Sequence, residues 1–314
     1  MDFEAPKALK ESIKNQTEVG LEITKQLLQT ELRDKNMVFS PLSIHIVLSM
    51  IAAGETGLSL DQFLSVLKSK TTDHLNSLAF KLVTAVLADG SATGGPCLNF
   101  ANGLWIHESC PLERSHQQVL CKSYKARLKQ VPAGTSSEEV RVEVNSWVEE
   151  QTRGLIPEIL TPGSGNGGRI SANALYFKAT WREEYFDESD TKEYVFHLLR
   201  GDKVDKVAYM TSMGEHYITA FLGFKALRLP YQVSEDYKDH RYFSMWLLLP
   251  DAIDGLPALE HRVCSESGFI DVHLSSWESV EVGKFLIPRF KISTRFEASG
   301  ILRELGLTAR DSNM

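Results

Sequence analysis

The chain has 314 residues, enough for one large or two small domains, and a hydrophobic fraction of 43% that can fill a full-sized core. A net charge of -7 with both signs spread along the chain argues against a nucleic-acid partner. Four scattered cysteines, Cys97, Cys110, Cys121 and Cys264, have no CxxC or Cys/His cluster, so structural zinc is not expected and they read as reduced, mostly buried thiols.

The first sixteen residues are polar, with no apolar core of an export signal, so a cytoplasmic chain is expected and the sequon at 15–17 reads as unused. No stretch reaches the roughly 20 apolar residues of a membrane helix, so no membrane partner is expected. From Leu9 to Leu28 the apolar and small positions follow helical spacing. A punctuated helix comes next, with Ser40 as N-cap, Pro41 at the first position and Gly54 just past the end. Ile44, Ile46, Val47, Leu48, Met50 and Ile51 cover nearly all its sides, which requires burial in the middle of the molecule. Ser59 with Gln62 reads as the capping box of a further helix.

Past the Gly- and Ser-rich loop at 89–97 the period changes to two, and Leu98, Phe100, Leu104 and Ile106 alternate along a strand. Ser136 with Glu139 opens a helix whose stripe is Val140, Val144, Trp147 and Val148, and which is expected to end near Leu160. Residues 170–181 are apolar on both alternating faces, as in a central strand covered on both sides, and Asn173 inside it needs hydrogen-bond partners. Further strands are expected at 204–210, 226–230, 242–249 and 280–287, then a short helix at 297–305 closed by Gly306. Helices first and strands clustered later indicate an α+β fold, and with no repeat and no linker the expectation is a single domain over 1–314.

Residues 163–168 match GxGxxG, but a helix precedes them and a strand follows, the reverse of a pyrophosphate site, so they read as a loop. No GxSxG, HExxH or Walker sequence is present. His45 reads as a hydrogen-bonded helix residue, the five tryptophans (105, 147, 181, 246 and 277) as core or sheet residues, and the basic pairs of 122–129 as a solvated surface. The residues alone therefore indicate a protein that is not an enzyme and needs no cofactor.

Longer stretches carry a resemblance. NMVFSPLSI at 36–44 with GETG at 54–57 resembles the helix B signature of the serpin family. NSWVEEQTRGLI at 145–156 resembles helix F, and NALYFKATW at 173–181 the third strand of the main sheet. IPRFK at 287–291 and LRELGL at 302–307 resemble the strand and helix before the reactive loop, while LPY at 229–231 and MTS at 210–212 are most similar to plant serpins. The resemblance implies a serpin fold, a shutter of Ser40, Ser43 and Asn173 beneath the sheet, and a breach, where a cleaved loop first enters, at Trp181 and Arg289. Without the resemblance, Ser40, Ser43 and Asn173 read as satisfied core polar groups.

In the family a serine or cysteine protease acylates a reactive loop, which then inserts as a new strand. The sequence stops at Met314, before that loop, the strand beside it, the shutter's histidine and the hinge glutamate that partners Arg289. The expectation is an incomplete, non-inhibitory serpin that does not engage a protease. The alternatives are an inhibitor whose C-terminal segment exists elsewhere, and a module that binds a strand-adding peptide or itself through unpaired edges.

Overall fold

The computed structural model describes residues 7–30, 35–164, 168–182, 186–199, 201–275 and 278–308. Trp277 and the middle of the GxGxxG stretch, 165–167, lie outside them. Helices dominate the first third and strands the rest, the expected α+β order. Helix α1 (Lys7–Gln29) turns Val19, Ile23 and Leu27 inward. Asn15 of the sequon lies within it, and its side-chain amide donates to Lys68 O at 2.6 Å, so the nitrogen that glycosylation would use is engaged.

Helix α2 (Pro41–Ala52) has no fully exposed residue, because Ile46 and Met50 enter one apolar cluster while Leu48 and Ala52 enter another. Gly54 serves clearance: a Cβ there would stand 2.2 Å from the His116 ring. Helix α3 (Gly57–Val66) begins earlier than the Ser59/Gln62 pair suggests. Thr56 is its N-cap position, and Gln62 donates instead to Thr308 Oγ1 at 2.8 Å, so the expected capping box does not form. Helices α4 (Thr72–Lys81) and α5 (Arg114–Ser123) flank β1 (Cys97–His107) in the chain, and β2 (Arg127–Val131) follows.

At α6 (Ser137–Gln151) the capping box forms as expected, with Ser136 Oγ accepting from Glu139 N at 3.2 Å and Glu139 Oε2 accepting from Ser136 N at 2.8 Å. The helix stops well short of Leu160, because Arg153 and Gly154 take the left-handed conformation. The segment after it is held instead by Asn145, whose Oδ1 accepts from Ile159 N and Leu160 N.

Strands β1, β2 and β3 (Arg169–Lys178) form one sheet in the order β2-β1-β3. Trp105, Val140, Val144, Trp147, Ala172 and Ala174 join α6 to one face of it. Ile46, Met50, Leu98, Leu104 and Ile106, with Leu175 against them, join α2 to the other. β3 is thus covered on both faces, as its composition predicts, but among the described residues it is an edge strand and not a central one. Its double burial comes from two helices, which a sequence pattern cannot distinguish from flanking strands.

The remaining strands build two further sheets. β4 (Lys192–His197), β5 (Lys203–Met210) and β10 (Ile287–Pro288) run in the order β10-β5-β4. β6 (Glu215–Phe221), β7 (Phe224–Pro230), β8 (Ser244–Pro250) and β9 (Val280–Glu281) run in the order β8-β7-β6-β9. Helices α7 (Leu256–Ser265) and α8 (Phe269–His273) pack Leu259 and Phe269 against Phe224 and Ala226. The strand expected at 280–287 is two short pieces, one in each sheet. Helix α9 (Ser299–Glu304) closes at Gly306 and inserts Leu302 and Leu307 against α2 and α3. All four cysteines are free thiols, but none is fully buried and Cys121 is exposed, which corrects the expectation of mostly buried thiols. No described helix is long and apolar enough to cross a membrane.

Candidate functional site

Ser40 has extended backbone angles at the start of α2, and its Oγ accepts from Ser43 N at 3.1 Å, a side-chain cap for a helix that Pro41 opens. Ser43 Oγ itself is buried with no hydrogen-bond partner among the described residues.

Asn173 stands opposite Asn102 in the antiparallel register of β1 and β3. By strand alternation both share the side of the sheet on which Leu98, Leu104 and Leu175 meet α2. Asn173 Nδ2 donates to Asn102 Oδ1 at 2.9 Å and to Ala101 O at 3.2 Å. Asn102 Nδ2 donates onward to Tyr124 O at 2.7 Å, and Tyr124 OH to Asn76 Oδ1 at 2.8 Å. Burial pushes the Tyr124 phenol up, so it stays a neutral donor. The Asn173 amide is saturated as a donor, while its Oδ1 is buried with no partner among the described residues. Two unpaired buried oxygens, Ser43 Oγ and Asn173 Oδ1, therefore lie on elements packed against each other. Each ordinarily costs on the order of 1–3 kcal/mol, so both stand ready for a donor.

Asn102 escaped the sequence reading, although a signal exists. It interrupts the apolar series 98, 100, 104, 106 at the one position of that face that must hold a polar group.

At the far end of β3, Trp181 makes an isolated bridge to Tyr231, and their rings stack at 4.5 Å and 12°. Phe186 meets the indole edge-on at 6.0 Å, while Phe177 touches Tyr231 and Phe243. Trp181, Leu227, Leu229, Phe285 and Ile287 share one cluster, which brings the start of β10 to the tryptophan. Arg289 is two residues beyond, exposed, with its backbone N donating to Ala208 O at 2.8 Å. A cavity lined by Arg182, Pro230, Tyr231, Val233, Tyr242, Phe243 and Ser244 opens beside this aromatic group. Burial raises the Tyr231 phenol, so it too remains neutral.

Between these two groups runs the outer edge of β3. It pairs only with β1 among the described residues, so alternate residues direct backbone N–H and C=O groups away from the sheet. Such a row is a template for another extended chain, with one polar group beneath it and an aromatic group at its end.

His45 lies in α2, 3% exposed, with Ser49 Oγ 3.4 Å from its Nδ1, the helix role expected of it. Trp105 and Trp147 are buried edge-to-face at 5.2 Å, and Trp246 lies in β8 under Arg228. Lys122, Lys125, Arg127 and Lys129 are exposed, with Lys129 paired to Glu143 at 3.4 Å. Gly163 and Gly168, the described ends of the GxGxxG stretch, lie in a connection leading into β3, as a loop reading requires.

The family model described as Serpin (serine protease inhibitor) matches residues 14–310. Serpin-ZX of Arabidopsis thaliana is 48% identical over 303 residues, covering 96% of this chain and 76% of that protein. Serpin-Z7 of Hordeum vulgare is 42% identical, covering 95% of this chain and 75% of its own length. Among solved structures, Arabidopsis AtSerpin1 in its native stressed conformation superposes with a TM-score of 0.87 at 47% identity, over 97% of this chain and 76% of that one. Emu ovalbumin gives 0.82 at 27% identity, over 95% of this chain and 78% of its own.

Proposed function

The chain belongs to the serpin family, and from that premise we propose that its 314 residues form the strand-receiving part of a protease trap and do not trap a protease by themselves. Serpins are protease inhibitors rather than catalysts. In the family's mechanism a serine or cysteine protease acylates a bait loop, and the loop then enters the main sheet beside its third strand.

The observation that carries the reading is the outer edge of β3, open among the described residues, on a strand that holds Asn173 Oδ1 and packs against α2, the helix of Ser43 Oγ. An entering strand supplies backbone partners along β3 and brings donors toward those oxygens. Ser40, Ser43 and Asn173 are the shutter in this reading. Trp181 and Arg289 form the breach, where the aromatic cluster orders the end of β3 that an incoming chain meets first. Trapping also needs a bait joined covalently to the inserting strand, since only then does insertion drag the acylated enzyme along. The free thiols fit a reducing compartment such as the cytoplasm.

The test is amide exchange over 171–178 with and without an added extended peptide of alternating apolar and small residues. The outward-facing amides, on alternate residues, are expected to gain protection only when peptide is present, while those bonded to β1 are protected throughout. No change at any peptide concentration would overturn the strand-receiving role.

A second reading is favoured by the 48% identity to Serpin-ZX over 96% of the chain. Joined to a reactive loop and its flanking strands, the same residues act as a suicide-substrate inhibitor. A chimera carrying that segment is expected to form a covalent complex with a serine or cysteine protease; failure of a well-folded chimera would remove this reading.

A further inference from the structure

Among the described residues β4 presents a second open edge, in a different sheet, and its chemistry is self-complementary. It is the terminal strand of the order β10-β5-β4, and all six of its residues are exposed. Tyr194, Val195 and Phe196 are 41%, 42% and 37% exposed in the strand centre, with Leu198 and Leu199 just beyond.

Edge strands are commonly blunted by a bulge, a proline or a lysine near the centre. Here the irregularity between the pairs Tyr194↔Val207 and Phe196↔Val204 puts the extra residue on β5, where Lys206 has φ +59. β4 itself stays regular. Lys192 is its only lysine and lies at its end.

From this edge we infer that β4 is a homodimer contact, pairing antiparallel with β4 of a second copy around a two-fold axis at Val195. The register follows from geometry. A two-fold axis perpendicular to the sheet keeps each side chain on its own face, so a residue can only oppose one of the same strand parity. Centring on Val195 sets Glu193 opposite His197 twice and Tyr194 opposite Phe196 twice. Carboxylate then meets imidazole on one face and ring meets ring on the other. Moving the centre to Tyr194 sets Lys192 against Phe196, and moving it to Phe196 sets Val195 against His197, so both lose the carboxylate–imidazole pairs and keep a single self-opposed ring pair in place of two. The partner that fits this edge is therefore the chain itself. The contact is independent of β3, which lies in another sheet.

Sedimentation equilibrium from about 1 µM to about 100 µM is the test, a span that resolves weak self-association. A monomer–dimer equilibrium is expected. His197→Glu sets like charges opposite each other at two symmetric places and is expected to weaken the dimer about ten-fold. Adding Glu193→Lys to it recreates opposite charges at both places and restores the dimer. All these side chains are exposed, and an unchanged unfolding midpoint confirms that each variant is folded. A monomer throughout the range, a dimer indifferent to His197→Glu, or a double variant that stays weakened would each overturn the proposal.

Discussion

His45 makes the stability of the central helix depend on pH in a direction opposite to that of a paired histidine. Its ring is buried in α2 beside a small cavity bordered by Asn15, Lys68 and His74, and burial lowers its pKa from 6.5 to about 4. The folded state therefore binds this proton less readily than the unfolded chain does. Above pH 6.5 neither state is protonated at His45 and its contribution is fully present. As pH falls from 6.5 toward 4 the unfolded state takes up the proton first, so stability drops by about 1.4 kcal/mol for each pH unit. Across the whole window the loss reaches about 3 kcal/mol, and below it the difference is constant. Set against a total of about 5–15 kcal/mol for a folded domain, that loss is large.

The assay is urea unfolding followed by tryptophan fluorescence between pH 7.5 and 4.5, on the natural chain and on His45→Gln. His116 and His216 are also lowered by burial and carboxylates titrate nearby, so the difference between the two proteins isolates His45. The natural chain is expected to lose stability more steeply than the variant on acidification. Parallel pH profiles would refute the reasoning.

Four substitutions probe the sheet and its supports. Ser43→Ala keeps the backbone cap on Ser40 but removes an unpaired hydroxyl, so the urea midpoint should hold or rise, by at most about 1 kcal/mol, whereas Asn173→Ala leaves Asn102 Oδ1 without its donor and should cost about 2 kcal/mol. Equal losses from both would contradict the assignment of the unpaired atoms. Gly103→Ala should cost about 1–3 kcal/mol in thermal or urea unfolding, because the added Cβ would stand 2.5 Å from the Trp105 ring, which Trp147 holds in place. Ser136→Ala removes the side-chain half of the α6 capping box, the Oγ that accepts from Glu139 N, and is expected to cost about 1 kcal/mol, read as the same shift in unfolding free energy.

How much of this was legible in the sequence depended on whether a signal was local. Ser40 with Pro41 and Ser136 with Glu139 are short-range chemistry, and both formed as written. Ser59 with Gln62 has the same letters and failed, because Thr308 from the distant end of the chain engages Gln62. Strand alternation located β1, β5, β7 and β8 to within a few residues, since the period of two survives wherever one face is buried. It could not tell that β3 has helices on both faces and, among the described residues, a strand on only one side, nor that 280–287 splits between two sheets, because pairing is set by partners far away in sequence. The candidate site divides the same way. Ser40 and Asn173 were visible as a cap and as an amide in an apolar run, while the link from Asn173 through Asn102 to Tyr124 needed the strand register. The β4 edge was hidden for a related reason: its self-complementarity appears only once the strand is known to be terminal.

The most direct test of the central claim is the intact mass of the products after the purified chain is mixed with a serine protease and then with a cysteine protease. The account predicts free protease together with the 35.2 kDa chain or its cleavage fragments, and no coupled species. A product whose mass joins the protease to the chain, stable to denaturation, would contradict it, because these residues would then be supplying both the bait and the strand that moves.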